Sequence, residues 1–255
     1  MTNVIRTRNR ILHILQLFER QERWFVEDIA TEMATSVSSA YRDVQELCST
    51  GFLAPVLGSA YVLGPAFVQY DRLLRQGDHI LRVAIPEMRL LLSRTTQHGV
   101  ALLSRRYRDC VMCIHEERGL DHPPQVTYER GVVLPLFKGA TSKAILAHLG
   151  EKTLRMIYLQ NEVAIRETLG NDSWKAFSGQ MEKIRQEGVA TTTSEVAKGL
   201  IGVAAPVFAS DQVVAGLSLV VEKTTSKLAK FAVEVKAAAA ILSKRLEAEE
   251  PWIPR

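Results

Sequence analysis

An uncharged stretch over residues 47–70 restricts the fold of this 255-residue chain more than any other feature. It is long enough to cross a bilayer, for which a helix needs about 20 apolar residues. It also contains five residues that interrupt helices: Gly51, Pro55, Gly58, Gly64 and Pro65. Such a helix would leave backbone groups without partners in lipid. The stretch therefore predicts short strands and turns in a soluble protein, with strands over 52–56 and 60–63.

Three amphipathic helices are predicted ahead of this stretch. Apolar residues recur at helical spacing over residues 8–20, 26–33 and 36–49. Ser36 can cap the third helix and Gly51 can end it. Three helices followed by a hairpin are the order of a winged helix-turn-helix, a compact DNA-binding unit.

The outward face of the third helix carries side chains suited to reading DNA. Hydroxyl groups can bond phosphates or bases, and a guanidinium group can fork onto a guanine or a phosphate. Arginines just upstream, including Arg10, could form a basic arm for the DNA backbone. The predicted DNA-binding residues are Arg6, Arg8, Ser36, Ser38, Ser39, Tyr41, Arg42 and Ser59.

The charge balance leaves DNA binding open at this point. The chain has 32 Lys and Arg against 28 Asp and Glu, a net charge of +4, which permits a polyanionic partner without requiring one. Acidic residues within the first 50 positions roughly offset the arginines there. A three-helix bundle whose serines only cap a helix therefore remains an alternative.

The remainder of the chain predicts an α+β fold, an antiparallel sheet flanked by helices. A linker helix is expected over 66–81, and Pro86 is expected to mark a boundary before a helix over 87–94. Strands are predicted over 100–104, 109–115, 125–128, 199–208 and 213–221. Helices are predicted over 139–149, 153–158, 173–187 and 232–248.

Three side chains, Cys110, Cys113 and Lys143, are of reactive types. Cys110 and Cys113 form a C-x-x-C pair, but residues three apart on a strand face opposite ways, which favours structural cysteines over a metal or redox site. Lys143 has no phosphate loop or adjacent base in sequence, which favours a surface or interface lysine over a nucleophile. Neither a cofactor nor a metal is therefore expected. Three cysteines and the absence of a signal peptide favour a reducing cytoplasm.

Several collinear motifs resemble the IclR (isocitrate lyase regulator) family of transcription factors. In the first part they are SSAYR ending at Arg42, GFL from Gly51, and YVLG ending at Gly64. In the second part they are LPL from Leu134 with Ala140 and KAILA from Lys143, GLIGVAAPVF over residues 199–208, and AGLSL over residues 215–219. The resemblance extends from about Arg8 to Leu246.

The resemblance implies a ligand-responsive regulator of a catabolic operon rather than an enzyme. It implies a winged helix-turn-helix domain over 1–65, a linker helix over 66–82 and a GAF-like effector-binding domain over 83–250. The implied partners are a near-palindromic double-stranded DNA operator, an organic acid effector, and further copies of the chain in a dimer or dimer of dimers. The implied effector-binding residues are Val126, Leu134, Ala140, Thr141, Gly202, Ser218 and Val220.

Two departures from the family pattern bear on the effector. Ser142 stands where glycine is usual, and Val220 stands where a second pocket hydroxyl can occur. A more apolar wall favours an aromatic or medium-chain organic acid over a two- or three-carbon acid, although Val220 could simply pack in the core. The alternative functions are a metabolite-binding adaptor without DNA binding and, less favoured, an enzyme that uses the same pocket.

Overall fold

The computed structural model describes residues 10–170, 173–223 and 227–248. Within them the chain divides into two compact units, with the boundary between Asp78 and His79. In the described residues, no helix combines the length and apolarity that a membrane span requires.

Over its described residues, 10–78, the smaller unit contains four helices and a two-stranded hairpin. Its elements are α1 (Arg10–Leu17), α2 (Val26–Glu32), α3 (Val37–Ser49), β1 (Leu53–Val56), β2 (Ala60–Leu63) and α4 (Ala66–Gly77). The first three helices bury Ile14, Ile29 and Val44 against Leu53 of the antiparallel hairpin. The order of helices and strands agrees with the sequence prediction because each apolar stripe faces this one core.

Two contacts fix the hairpin to the helices. Trp24 is buried, its backbone bridges to Tyr61, and its indole Nε1 donates to the Leu17 carbonyl oxygen at 3.0 Å. At the far end, Gly64 passes so close to Gly51 that an added Cβ would lie 2.2 Å from the Gly51 oxygen. Position 64 therefore has no room for any side chain and must be glycine.

The larger unit is built on a six-stranded antiparallel sheet with strand order β5-β4-β3-β8-β7-β6. Its strands are β3 (Val100–Tyr107), β4 (Cys110–Arg118), β5 (Val133–Pro135), β6 (Ala190–Thr193), β7 (Leu200–Ala209) and β8 (Gln212–Glu222). Its helices are α5 (His79–Thr95), α6 (Ala140–Leu146), α7 (Glu151–Gln160), α8 (Glu162–Leu169), α9 (Trp174–Glu187) and α10 (Leu228–Ala248). The predicted α+β class and antiparallel sheet are confirmed.

Each face of the sheet supports a separate apolar core, because side chains alternate between the faces of a strand. On one face α5 and α10 pack against Leu217, Leu219 and Val221 of β8. On the other face α6, α7 and α9 pack against a cluster that includes Leu102 and Val220.

Several predicted elements are wrong. Residues 125–128 lie in a loop and form no strand. Val126 and Tyr128 of this loop are buried, so every second residue is buried as it would be in a strand. Helix α5 continues through Pro86, since burial of one apolar side of the helix outweighs the proline's missing donor. The helix expected over 66–81 ends at Gly77. Strands β5 and β6 and helix α8 were not predicted.

Candidate functional site

A cavity lies on the face of the sheet that α6 covers. The empty space within it, including solvent at its mouth, is about 520 Å³. The residues that line it are Leu102, Val126, Thr127, Tyr128, Leu134, Gly139, Ala140, Thr141, Ser142, Thr192, Glu195, Val196, Ala197, Leu200, Gly202, Ser218 and Val220. All seven predicted effector-binding residues are therefore brought together around one cavity.

The strands and α6 position these seven residues through backbone pairing. Gly202 of β7 pairs with Val220 of β8, two residues along from Ser218, so the three share a face. The absence of a side chain at Gly202 lets Ala140 approach, since an added Cβ would lie 3.3 Å from the Ala140 Cβ. The cavity wall is thus formed by a helix packed closely on two neighbouring strands.

Hydroxyl groups form the polar part of the cavity. The Thr141 Oγ1 donates to the Ser218 Oγ at 2.9 Å, and both side chains are buried. Ser142 is fully buried beside them, and its Oγ has no hydrogen-bond partner within the described residues. Leu102, Val126, Leu134 and Val220 provide apolar surface in the same lining.

A buried ion pair closes one side of the cavity. The Lys143 Nζ lies 2.7 Å from Glu195 Oε1, and the two side chains are only 6% and 11% exposed. The other carboxylate oxygen of Glu195 accepts the Gly139 backbone N–H at 3.2 Å. Lys143 is therefore buried and paired, so of the predicted surface or interface placements the surface one is wrong.

The ion pair attaches the β6–β7 loop, residues 194–199, to the beginning of α6. Gly139 has a φ of +88°, and a Cβ there would lie 2.9 Å from Val196 Cγ2, so this residue must be glycine for the loop to pack against it. Glu195, Val196 and Ala197 of the loop then line the cavity.

The loop residues and the 126–128 segment were largely missed from the sequence. Of these, only Val126 was named as a pocket residue. The Ser194-to-Gly199 stretch has no strand or helix periodicity, and its pairing with Lys143 joins residues far apart in the chain. A lone lysine in an otherwise uncharged helix is the signal that could have indicated a buried carboxylate partner.

The cysteines show the features of structural residues. Burial raises the pKa of Cys113 to about 12, which keeps its thiol protonated and unreactive. Cys110 is only partly buried, and neither residue lines the cavity. Across residues 10–170, 173–223 and 227–248, no three His, Cys, Asp or Glu side chains are arranged to hold a metal ion.

The outward face of α3 forms a second candidate surface. Ser36 caps the helix, its Oγ accepting the Ser39 backbone N–H at 3.2 Å. Ser38, Tyr41 and Arg42 are exposed, Tyr41 by 51%. The Arg42 guanidinium donates to the Ser39 Oγ at 3.4 Å, a long contact that leaves the group free to bind elsewhere.

The remaining predicted DNA-binding residues are placed as follows. Ser59 is exposed in the β1–β2 turn, with a φ of +63°. Arg6 and Arg8 lie outside the described residues. Arg10, which was grouped with them, instead points its Nε at Asp43 Oδ2, 3.0 Å away on α3. It therefore holds α1 to α3 rather than extending from the unit as part of a basic arm.

Comparison with known proteins shows similarity along most of the chain. Residues 74–244 match the family model "Bacterial transcriptional regulator IclR C-terminal". The HTH-type transcriptional regulator KipR of Bacillus subtilis (strain 168) is 25% identical over 251 residues, which cover 96% of this chain and 99% of KipR.

Two solved structures share the fold at lower sequence identity. Thermotoga maritima IclR is 24% identical with a TM-score of 0.72, covering 94% of this chain and 98% of that one. An IclR homologue from Microbacterium hydrocarbonoxydans, crystallised in complex with 4-hydroxybenzoate, is 19% identical with a TM-score of 0.78 and covers 94% and 98%.

Proposed function

Because this chain belongs to the IclR family of bacterial transcriptional regulators, we propose that it binds operator DNA through its smaller unit and a small organic acid through its larger one. The exposed hydroxyl, phenol and guanidinium groups on α3 are the observation that carries the DNA-binding part. The regulated genes would form a catabolic operon, and the protein would act in the cytoplasm.

In this proposal the smaller unit is a winged helix-turn-helix. Helix α3 enters the major groove with its N-terminal end toward the bases, as recognition helices do. Ser38 and Arg42 contact base edges or phosphates, while Ser59 in the turn of the β1–β2 wing contacts the backbone. Arg6 and Arg8 are the further phosphate contacts that we propose.

A homodimer or dimer of dimers fits the surface of α4. Phe67 and Tyr70 contact Phe52 with ring-centroid distances of 5.5 and 5.6 Å, which attaches α4 to the smaller unit. Tyr70 and Leu74, four positions apart on this helix and therefore on one face, remain half or more exposed. Exposed apolar side chains that share a face are typical of a protein interface. A two-fold dimer would present two α3 helices to a near-palindromic operator, and sedimentation equilibrium measures this assembly directly.

The DNA-binding proposal is tested with the Arg42→Ala variant of the full chain. Duplexes are first enriched from a random library by the wild-type protein, and affinities are then measured by fluorescence anisotropy across a salt series. We expect wild-type affinity to fall steeply with salt, and Arg42→Ala to lower it about 5- to 150-fold, the equivalent of about 1–3 kcal/mol.

The matched control is Arg166→Ala, which removes an exposed arginine from α8 of the larger unit. It should leave DNA affinity unchanged. A wild-type protein without salt-dependent DNA binding would instead support the adaptor alternative, in which the smaller unit contacts proteins.

The effector part rests on the cavity beneath α6 and its mixed lining. Apolar side chains such as Leu134 and Val220 suit an aromatic or medium-chain body, and the Thr141–Ser218 pair suits a polar end. The 4-hydroxybenzoate-bound homologue supports an aromatic acid. A thermal-shift screen of organic acids tests this, because a ligand that prefers the native state raises the melting temperature.

Regulation requires that the effector bind two conformations of the protein with different affinities. The expected result is a change in operator affinity, or in the geometry of bound DNA, when the effector is added. Tight effector binding that changes neither would contradict this part of the proposal.

A further inference from the structure

The Ser142 hydroxyl is a buried polar group without a partner. The side chain is fully buried in α6, it lines the cavity, and its Oγ makes no hydrogen bond within the described residues. A buried hydroxyl without a hydrogen bond costs free energy. Such groups in native proteins require an explanation, and a ligand that completes the bond is one.

The other buried polar side chains of the lining already have partners, and the remaining hydroxyl residues, Thr127 and Thr192, are not buried. The Thr141 hydroxyl donates to Ser218, and the Tyr128 hydroxyl donates to the Val111 carbonyl oxygen at 3.1 Å. The Glu195 carboxylate accepts from Lys143 and from the Gly139 backbone. Each of these bonds holds parts of the protein together, whereas Ser142 contributes a hydroxyl to the cavity and no such bond.

The charges of the lining restrict what the cavity can accept. Among the described residues of the lining, Glu195 is the one that carries a charge, and Lys143 balances it. The same set includes no Lys, Arg or His. The buried Ser142 hydroxyl can donate to one carboxylate, whereas a second would lie against apolar side chains or near Glu195, with no cation in the described lining to balance it.

We infer that Ser142 donates a hydrogen bond to an oxygen of the effector, and that the cavity selects aromatic monocarboxylates against dicarboxylates. This inference rests on the proposed effector function of the cavity and adds a specificity-determining residue to it.

The test measures ligand binding by calorimetry and unfolding by thermal shift, with benzoate, 4-hydroxybenzoate and terephthalate as probes. Wild-type protein should bind at least one of the two monocarboxylates and bind terephthalate at least tenfold more weakly. Ser142→Ala and Ser142→Gly should each weaken monocarboxylate binding about tenfold, the usual effect of one hydrogen bond of this kind.

The stability of the unliganded protein separates a binding role from a structural one. Because Ser142 makes no internal bond, Ser142→Ala should melt at the same temperature as wild type or higher. Ser93→Ala is the matched control: it removes a serine hydroxyl from an exposed position on α5 and should leave ligand binding unchanged.

For Ser142→Ala, an unchanged affinity for monocarboxylates would overturn the inference, and so would a melting temperature below that of wild type without ligand. For the wild-type protein, a preference for terephthalate or no binding of either monocarboxylate would overturn it. Failure of the DNA-binding proposal would be visible separately, as wild-type protein that binds these probes without binding any enriched duplex.

Discussion

Removing one partner of the Lys143–Glu195 ion pair should strongly destabilise the larger unit. In the Lys143→Met variant the aliphatic part of the side chain is kept, and the Glu195 carboxylate is left buried at 11% exposure without its cation. Breaking a buried pair in this way typically costs about 3–5 kcal/mol, because an uncompensated charge remains. Replacing both partners with apolar residues removes that charge and is often neutral.

The magnitude corresponds to a large thermal effect. For a unit of this size, 1 kcal/mol lowers the melting temperature by about 2–4 °C, so 3 kcal/mol would lower it by about 6–12 °C. The double variant Lys143→Met with Glu195→Leu should recover most of that loss. The coupling between the two positions in a double-mutant cycle should therefore be at least about 2 kcal/mol.

Differential scanning calorimetry of the full chain measures these differences. Arg166→Met is the matched control, because the Arg166–Glu162 pair is 53% and 45% exposed and exposed pairs of this kind contribute only about 0.3–0.5 kcal/mol. If Lys143→Met cost no more than Arg166→Met, the ion pair would not hold the loop, and the argument from its burial would be refuted.

Two further predictions concern titratable groups. Burial lowers the pKa of His148 in the folded protein below its usual 6.5. As the pH falls, His148 is therefore protonated more readily in the unfolded chain than in the folded one. The free energy of unfolding should decrease as the pH falls below about 6.5. Melting temperatures measured from pH 7.5 to 5.5 should fall less steeply in His148→Gln, and an identical fall in both proteins would contradict this reasoning. Because burial raises the pKa of Cys113 to about 12, iodoacetamide should label it only after unfolding, and rapid labelling of the native protein, read by peptide mass spectrometry, would contradict its placement.

The sequence was most informative where local pattern and tertiary packing agree. The stripe of α3 that includes Ala40 and Val44 faces the core of its own unit, so periodicity alone located that helix. The seven predicted cavity residues came from family resemblance, since nothing in the spacing of Val126 and Ser218 indicates that they share a cavity.

The parts that could not be predicted depend on contacts between distant residues. Glu195 contributes to the cavity because Lys143, 52 positions earlier, holds it there. Tyr128 lies in a loop and is buried, with its hydroxyl bonded to the Val111 carbonyl oxygen. This buried loop residue is the reason that a strand is wrongly predicted over 125–128. Pro86 did not end α5 because the surrounding residues, including Ala84 and Met88, are fully buried on both sides of it.

Strand β8 belongs to both apolar cores, and this has a mechanical consequence. Ser218 and Val220 face the cavity, while Leu217, Leu219 and Val221 support the cluster that contains α5. The same peptide groups of β8 therefore carry the cavity wall on one face and the support of α5 on the other. Helix α5 in turn begins immediately after Asp78, the residue that follows α4.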